Sequence, residues 1–394
     1  MKFKIQGLFY RFNYEIEIKK NEIITITGPN GFGKSTIINM LNAIGNSDIA
    51  FFFQLEFRKI CIENDADNIS FKLKKENDQL IYKQCVLDQR VFSYFSRGIP
   101  VERLMIRKNN FADEAIWLEK QKELYDTLMR DMKGIISNVR LIREQRIIIE
   151  SQEEDESREI VEQIPEKLEA QIKNASKEYV AVSNELDGSY PERLFKGKER
   201  ISRAGFRLQL SEMQDKIEKL RQNGITNVRN LEISDYNEED AKALAIYFND
   251  FNKKYKAYED LVERIELFRE VVNNRFRFKR LIVSNDTGFE VIDDTTGNAL
   301  NLSRLSSGEK EMIVLFYQIL FETQNEALLL IDEPEISLHI SWQRSFINDL
   351  IKVAKHKELT VVVATHSPQI ALGSCDKQID LGEQYQNERF NTRK

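Results

Sequence analysis

Gly28-Pro29-Asn30-Gly31-Phe32-Gly33-Lys34-Ser35-Thr36 is preceded by a short β-branched run, Glu22 to Thr27, and followed by a segment with helical spacing, Ile37 to Ile44. Strand, glycine-rich loop and helix in that order predict a phosphate-binding loop. The glycines let the backbone turn tightly and aim its N–H groups inward, so that a polyphosphate rests on them and on the positive end of the following helix. The candidate nucleotide-binding residues are therefore Asn30, Gly31, Gly33, Lys34, Ser35 and Thr36, with Lys34 reaching the β- and γ-phosphates and Ser35 ligating Mg2+. A glycine-rich turn that merely imitates the motif is the competing reading, and the complete motif in its strand-loop-helix setting weighs against it.

Composition narrows the remaining classes. The chain has 394 residues, 41% of them hydrophobic and 31% charged, which is ample for one large domain or two lobes with a buried core. No apolar run approaches membrane-spanning length, and Met1 to Phe12 lacks the apolar stretch and cleavage site of a signal peptide, so a cytoplasmic protein without membrane attachment is expected. Cys61, Cys85 and Cys375 are widely spaced and make no CxxC pair, which points away from a disulfide framework or a zinc site. His339, His356 and His366 are too few and too scattered for a histidine-based metal cluster. A formal charge of −6 argues against indiscriminate coating of nucleic acid, so any such contact must come from a local patch.

The patterning predicts an α/β fold in three parts. Residues 1–110 read as the first half of a head, with strands at Lys2 to Gln6, Tyr14 to Ile18, Phe57 to Ile62, Ile69 to Lys75 and Gln79 to Leu87. Residues 111–275 read as a mainly helical insertion with one strand at 139–150. Its apolar stripes stop at Gly134, at Gly188 after a start at Pro165, and at Asn223-Gly224. A further stripe runs from Leu244 to Phe268, and such stripes are expected to be packing between helices of a compact lobe. Residues 276–394 return to strand character at Phe276 to Val283 and Gly288 to Ile292 and complete the head.

Three further motifs lie in that last part. Leu305-Ser306-Ser307-Gly308-Glu309 opens an amphipathic helix, and serine and glycine there leave hydroxyl and N–H donors pointing outward. Leu328 to Ile331 is an apolar run that ends in Asp332-Glu333-Pro334, the pattern of a buried strand whose acidic tip stands beside the phosphate loop, where Mg2+ and an attacking water must be managed. Leu359 to Ala364 is another buried strand, and it ends in Thr365-His366-Ser367. Alone, the first is a capped helix and His366 a strand-end histidine.

In this order GPNGFGKST, LSSGE, LLLIDEP and THS resemble the ATP-binding-cassette (ABC) ATPases, in the branch with SMC, RecF and the OLD-type nucleases. With the middle segment Leu186-Asp187-Gly188-Ser189-Tyr190-Pro191-Glu192-Arg193-Leu194, the chain is similar to the PtuA-type ATPase subunits of Septu anti-phage systems, which also accompany some retrons. The resemblance implies an ABC-type head, a mixed sheet with a P-loop carrying an inserted helical lobe, that uses ATP and Mg2+. It implies that Asp332 positions the Mg2+, that Glu333 polarises the attacking water and that His366 senses the γ-phosphate. Ser306, Ser307 and Gly308 would contact the γ-phosphate held by a second copy of the chain, with Ser337 in the segment that crosses the dimer interface. Gln145, in Leu141-Ile142-Arg143-Glu144-Gln145-Arg146, is the candidate for the glutamine that contacts Mg2+ and serves catalysis, a plain polar strand residue being the other reading. Phe32 departs from the small residues usual in such a loop, and Tyr10 and Arg11 are the candidates for stacking on adenine.

Three functions follow from that resemblance. The first is an ATP-binding and ATP-hydrolysing regulatory subunit of an anti-phage complex, gating an HNH-type nuclease supplied in trans, with a reverse transcriptase and its RNA–DNA product as further partners in a retron setting. The second is a DNA-repair or chromosome-associated RecF- or SMC-like ATPase that binds DNA when ATP is bound. The third, a single-chain OLD-type nuclease, is disfavoured because Ser367 to Lys394 leave too little chain for a nuclease domain. Two basic stretches bear on nucleic acid: Arg193, Lys196, Lys198, Arg200, Arg203 and Arg207, and the alternating Arg275, Arg277 and Lys279, whose spacing places three cations on one strand face. Both also read as solvated surface.

Overall fold

Alternation of buried and exposed side chains sets the opening hairpin, β1 (Lys2–Leu8) and β2 (Phe12–Glu17), in which Ile5 stands opposite Tyr14. β3 (Ile23–Thr27) is buried along almost its whole length and leads into the helix Lys34–Gly45. Then come β4 (Lys59–Asn64), β5 (Ile69–Glu76), β6 (Gln79–Tyr82), β7 (Cys85–Leu87), the helix Ala112–Ile135 and β8 (Val139–Ile142). Three long helices, Ile160–Lys196, Arg203–Gln222 and Ala241–Asn273, precede β9 (Lys279–Ser284), β10 (Gly288–Asp293), β11 (Ala299–Leu300) and the helix Ser307–Tyr317. The chain continues with β12 (Leu328–Asp332), the helix Ile340–Lys357, β13 (Thr360–Ala364), β14 (Lys377–Asp380) and the helix Leu381–Asn391. The computed structural model describes residues 1–64, 69–99, 112–143, 160–226, 236–336, 338, 340–371 and 376–391.

Two compact units result, one made of Met1–Glu144 with Thr323–Lys394 and the other of Gln145–Glu322. The first holds two sheets. One is antiparallel, in the order β2-β1-β4-β5-β6-β7; the other is parallel, in the order β14-β3-β13-β12-β8. A continuous buried cluster joins them through the helix Lys34–Gly45, with Phe3, Ile62 and Phe71 from the antiparallel sheet, Ile37, Leu41 and Ile44 from the helix, and Ile24, Leu330 and Val362 from the parallel sheet. Burial of each such side chain contributes roughly 1.5–3 kcal/mol, which is what holds the helix and the loop before it in place. The parallel strands are apolar on both faces, as expected of strands covered on both sides. The second unit combines the three-stranded sheet β11-β10-β9 with the long helices and the helix Ser307–Tyr317.

The α/β fold with a loop-bearing sheet is the one the sequence predicts, but several boundaries differ. The helix Ala112–Ile135 and β8 lie in the first unit, because β8 pairs in parallel with β12 (Ile142 beside Ile331); β9 to β11 and the helix Ser307–Tyr317 lie in the second. Expected boundaries at 110 and 275 are thus displaced to 144 and 322. Gln79 to Leu87 is two strands, since Lys83 and Gln84 both take φ near +46° and +64° and reverse the chain. Gly134 does not stop its helix, and the strand from Val139 ends at Ile142 among the described residues. The helix Ile160–Lys196 starts before Pro165 and runs through Gly188 and Pro191. In that stretch Ser189 Oγ donates to Glu185 O and Leu186 O, and Arg193 Nη2 donates to Leu186 O at 2.6 Å.

Candidate functional site

The loop is shaped by its backbone and braced from outside. Gly33, at φ +87°, immediately precedes the helix, where Ile37 N donates to its carbonyl at 2.9 Å. A Cβ at Gly33 would stand 2.9 Å from Leu8 Cδ2, whereas one at Gly31 would meet nothing within 4 Å, so the loop is tight against β1 on one side and open on the other. Phe32 accounts for its own presence in a position that usually holds a small residue. Its ring packs against Phe12 (centroids 5.1 Å apart) and Tyr385 (5.8 Å), and its carbonyl accepts from Tyr14 Oη at 2.9 Å. Asn30 is exposed and Thr36 half-buried in the first helical turn.

Lys34 is only 4% exposed, and its ammonium donates to Gly28 O at 2.8 Å and Pro29 O at 3.2 Å. Burial pushes its pKa below the ordinary lysine value, with Glu333, Glu335, Asp332 and Asp380 pulling the other way. Next to it Ser35 Oγ donates to Asp332 Oδ1 at 3.1 Å. Asp332 is the last residue of β12. It lies opposite Ala364 of β13, so the two strands end level and deliver their tips together.

Glu333 follows in the left-handed region at φ +46°, its N–H donating to Ala364 O at 2.9 Å. That conformation is costly for a residue with a Cβ and marks a built feature. It leaves the carboxylate 3.2 Å from His366 Nε2. Lys34, Ser35, Asp332, Glu333 and His366 are therefore gathered at one end of the parallel sheet. A hydroxyl beside a carboxylate is an oxygen donor set suited to a small hard cation, and among the described residues no cluster of three His, Cys, Asp or Glu could hold a metal alone. That combination fits an Mg2+ bound largely through nucleotide phosphates.

Ser306, Ser307 and Gly308 lie in the other unit. Ser306 caps the helix Ser307–Tyr317: its N–H donates to Glu309 Oε2 at 2.9 Å and its Oγ accepts from Glu309 N at 3.4 Å, a closed capping box. Lys279 fixes Glu309 from β9, with Nζ 2.9 Å from Oε1. Burial raises the Glu309 pKa, but the Lys279 and Ser306 hydrogen bonds outweigh it and hold the carboxyl below its usual value. Both serines are exposed at the helix start. Gln145 and Ser337 lie outside the described residues.

Sequence reasoning passed over Tyr14 and Glu335, each of which supports a motif distant in the chain, and read Lys279 as one of a row of cations where it fixes Glu309. It also misjudged two cations. Arg193 is engaged by Asp250 in a two-point ion pair (2.5 and 2.8 Å), and Arg275 is buried, donating to Val271 O at 2.8 Å. Because β9 begins at Lys279 and Phe278 turns at φ +63°, Arg275, Arg277 and Lys279 do not share a strand face. Tyr10, at φ +54° and 50% exposed, sits in the β1–β2 turn, and Arg11 lies 5.9 Å over the Phe12 ring.

No helix among the described residues is long and apolar enough to cross a membrane. A comparison with curated proteins gives no match. Among solved structures, the chain is similar to the SMC head domain from Thermotoga maritima (12% identity over 96% of this chain and 93% of that one, TM-score 0.39). It is similar as well to the Smc head domain with an extended coiled coil, bound to the C-terminal domain of ScpA, from Pyrococcus furiosus (16% identity, 100% and 99% covered, TM-score 0.38). A putative ABC transporter ATP-binding protein from Pyrococcus furiosus is a further likeness (11% identity, 97% and 98% covered, TM-score 0.32). Residues 2–371 match the family described as AAA ATPase domain, and since that match takes in almost the whole chain, the chain belongs to this family of ATPase domains.

Proposed function

We propose that this chain binds and hydrolyses ATP with Mg2+ and, through its nucleotide state, gates a separate nuclease in an anti-phage complex. The convergence of Lys34, Ser35 with Asp332, and Glu333 with His366 at one sheet end carries the ATPase part of the reading. Mg2+, when bound with ATP, supplies neutralisation of phosphate charge as it develops. The protein groups do the rest. Asn30, Gly31, Gly33 and Thr36 cradle the phosphates with the backbone N–H groups of the loop. Lys34 leaves the Gly28 and Pro29 carbonyls to reach the β- and γ-phosphates. Ser35 and Asp332 hold the cation, directly and through water, with Gln145 as a further ligand. Glu333 takes up a proton from the attacking water, and His366 orients that carboxylate and contacts the γ-phosphate.

Two copies close over two nucleotides in this reading, each giving Ser306, Ser307 and Gly308 to the other's γ-phosphate. Exposure of both serines, and of Ile336 (39%) and Ile340 (60%) on either side of Ser337, supports such an interface. Tyr10 and Arg11 are the candidates for stacking on the adenine base. The HNH-type nuclease partner, and the reverse transcriptase with its RNA–DNA product, follow from the resemblance to Septu and retron ATPase subunits. Nucleic acid is a candidate ligand of the exposed Lys198, Arg200, Arg203 and Arg207. Titration with ATP and Mg2+, with turnover measured in parallel, tests the core of the reading. The parent should bind and hydrolyse, and Lys34→Ala should lose affinity itself; equal binding by both would refute it.

A further inference from the structure

Glu335 has no place in the nucleotide chemistry described above, yet it joins two of its parts. Glu333 turns the chain at the end of β12, and Ile336 N closes the turn on Glu333 O at 3.2 Å, which swings Glu335 back over the end of β13. There Glu335 Oε1 accepts from the backbone N–H of His366 and from that of Ser367 (2.9 Å). Both N–H groups lie past the last ladder position of β13 and ahead of the short helix Pro368–Ala371, where no strand partner serves them. One carboxylate oxygen accepts from both, in charge-assisted bonds stronger than those between neutral groups; the Ser367 N–H is shared with Thr365 Oγ1 at 3.0 Å, whereas His366 N–H has Glu335.

The next support comes from Gln343 in the helix Ile340–Lys357. Its Oε1 accepts from Ser367 Oγ at 2.7 Å and its Nε2 donates to Leu338 O at 2.9 Å. Glu335 Oε2 is buried and takes no hydrogen bond from the described residues. The functional end of the carboxylate is thus the oxygen turned toward His366.

Resting on the ATPase reading, we propose that Glu335 is a positioning residue: by holding the His366 and Ser367 backbone, it fixes the His366 imidazole against Glu333 and ties the γ-phosphate sensor to the segment running toward Ser337. It acts as a hydrogen-bond acceptor, not as a base or a cation ligand. Glutamine at 335 keeps a carbonyl oxygen for the two N–H groups; alanine removes the acceptor.

Selective labelling of the imidazole carbons gives three histidine signals, since the chain has only His339, His356 and His366, and His366→Gln identifies the relevant one. Glu335→Ala should shift the His366 signal, lower kcat for ATP by about ten- to a hundredfold and leave KM within about threefold, because the loss falls on orientation in the transition state. Glu335→Gln should recover most of the kcat and return the signal close to its parental position. An unmoved His366 signal in Glu335→Ala overturns the proposal, as does a Glu335→Gln variant as slow as Glu335→Ala. Should the parent itself fail to turn over ATP, the ATPase reading falls, and the signal in Glu335→Ala still decides whether the clamp exists. If Glu335→Ala does not fold, Gln343→Leu, which removes the Ser367 support, must shift the same signal in a folded protein; no shift there also overturns it.

Discussion

His366 Nε2 lies 3.2 Å from Glu333 Oε1 although the two residues hang from the ends of different strands and Glu333 occupies the left-handed region at φ +46°. The histidine thus takes hold of a carboxylate whose backbone is already fixed by the Ala364 carbonyl. Such a pair can orient one carboxylate oxygen toward a water while keeping the other engaged.

Glu333→Gln preserves the shape of that side chain and removes its charge. ATP affinity should stay within a few-fold of the parent while hydrolysis slows by about two orders of magnitude or more. Light scattering with ATP should then find the variant held as the closed pair of chains; a purely monomeric scattering mass would contradict the composite site.

Ser307→Arg places a long cation at the exposed start of the helix Ser307–Tyr317, in the unit that does not carry the phosphate loop. Nucleotide should still bind, and turnover should be lost, because the substituted surface is the one offered to a second copy. Unchanged turnover would sink the two-copy arrangement.

Phe32→Ala removes the ring that Phe12 and Tyr385 hold. Since Phe32 is half-buried, the expected loss is about 1–3 kcal/mol, below that of a core phenylalanine. The denaturation midpoint should fall and ATP affinity should weaken together, because the same ring anchors the loop. A lower midpoint with unaltered affinity would show that the loop keeps its shape without the anchor.

The purified chain should cut neither DNA nor RNA with Mg2+, with or without ATP, if the proposed function is right and cutting belongs to a separate chain. Coexpression with the neighbouring open reading frame should yield a complex whose nuclease activity changes with nucleotide state. Cutting by this chain alone, abolished by a substitution outside the ATP site, would revive the single-chain nuclease.

Much of this site can be read from the chain because its motifs are local. A β-branched strand followed by glycines and Lys34-Ser35 has few ways to fold, and Asp332-Glu333 and Thr365-His366 sit at strand ends for the same reason. What escaped notice depends on long-range partners. Nothing near Arg193 announces Asp250, 57 residues on, as its partner, so a half-buried, ion-paired cation looked like one of a surface cluster. Gly188 and Pro191 normally end a helix, yet this one runs through both, with the Ser189 and Arg193 side chains folded back on Leu186 O and Arg193 tied to Asp250 on another helix. Glu335 reads as one more acid after Glu333 until β13 is seen to end beneath it.

The order of strands in the parallel sheet also governs how the protein can be made. β3, which carries the phosphate loop, is flanked by β13 and β14, and both are supplied by the closing part of the chain. On the ribosome the loop strand therefore emerges early and waits, without either neighbour, while the second unit is synthesised. A nascent or prematurely terminated chain lacks both strands that flank β3, so the sheet end that gathers Lys34, Asp332 and His366 is not yet assembled.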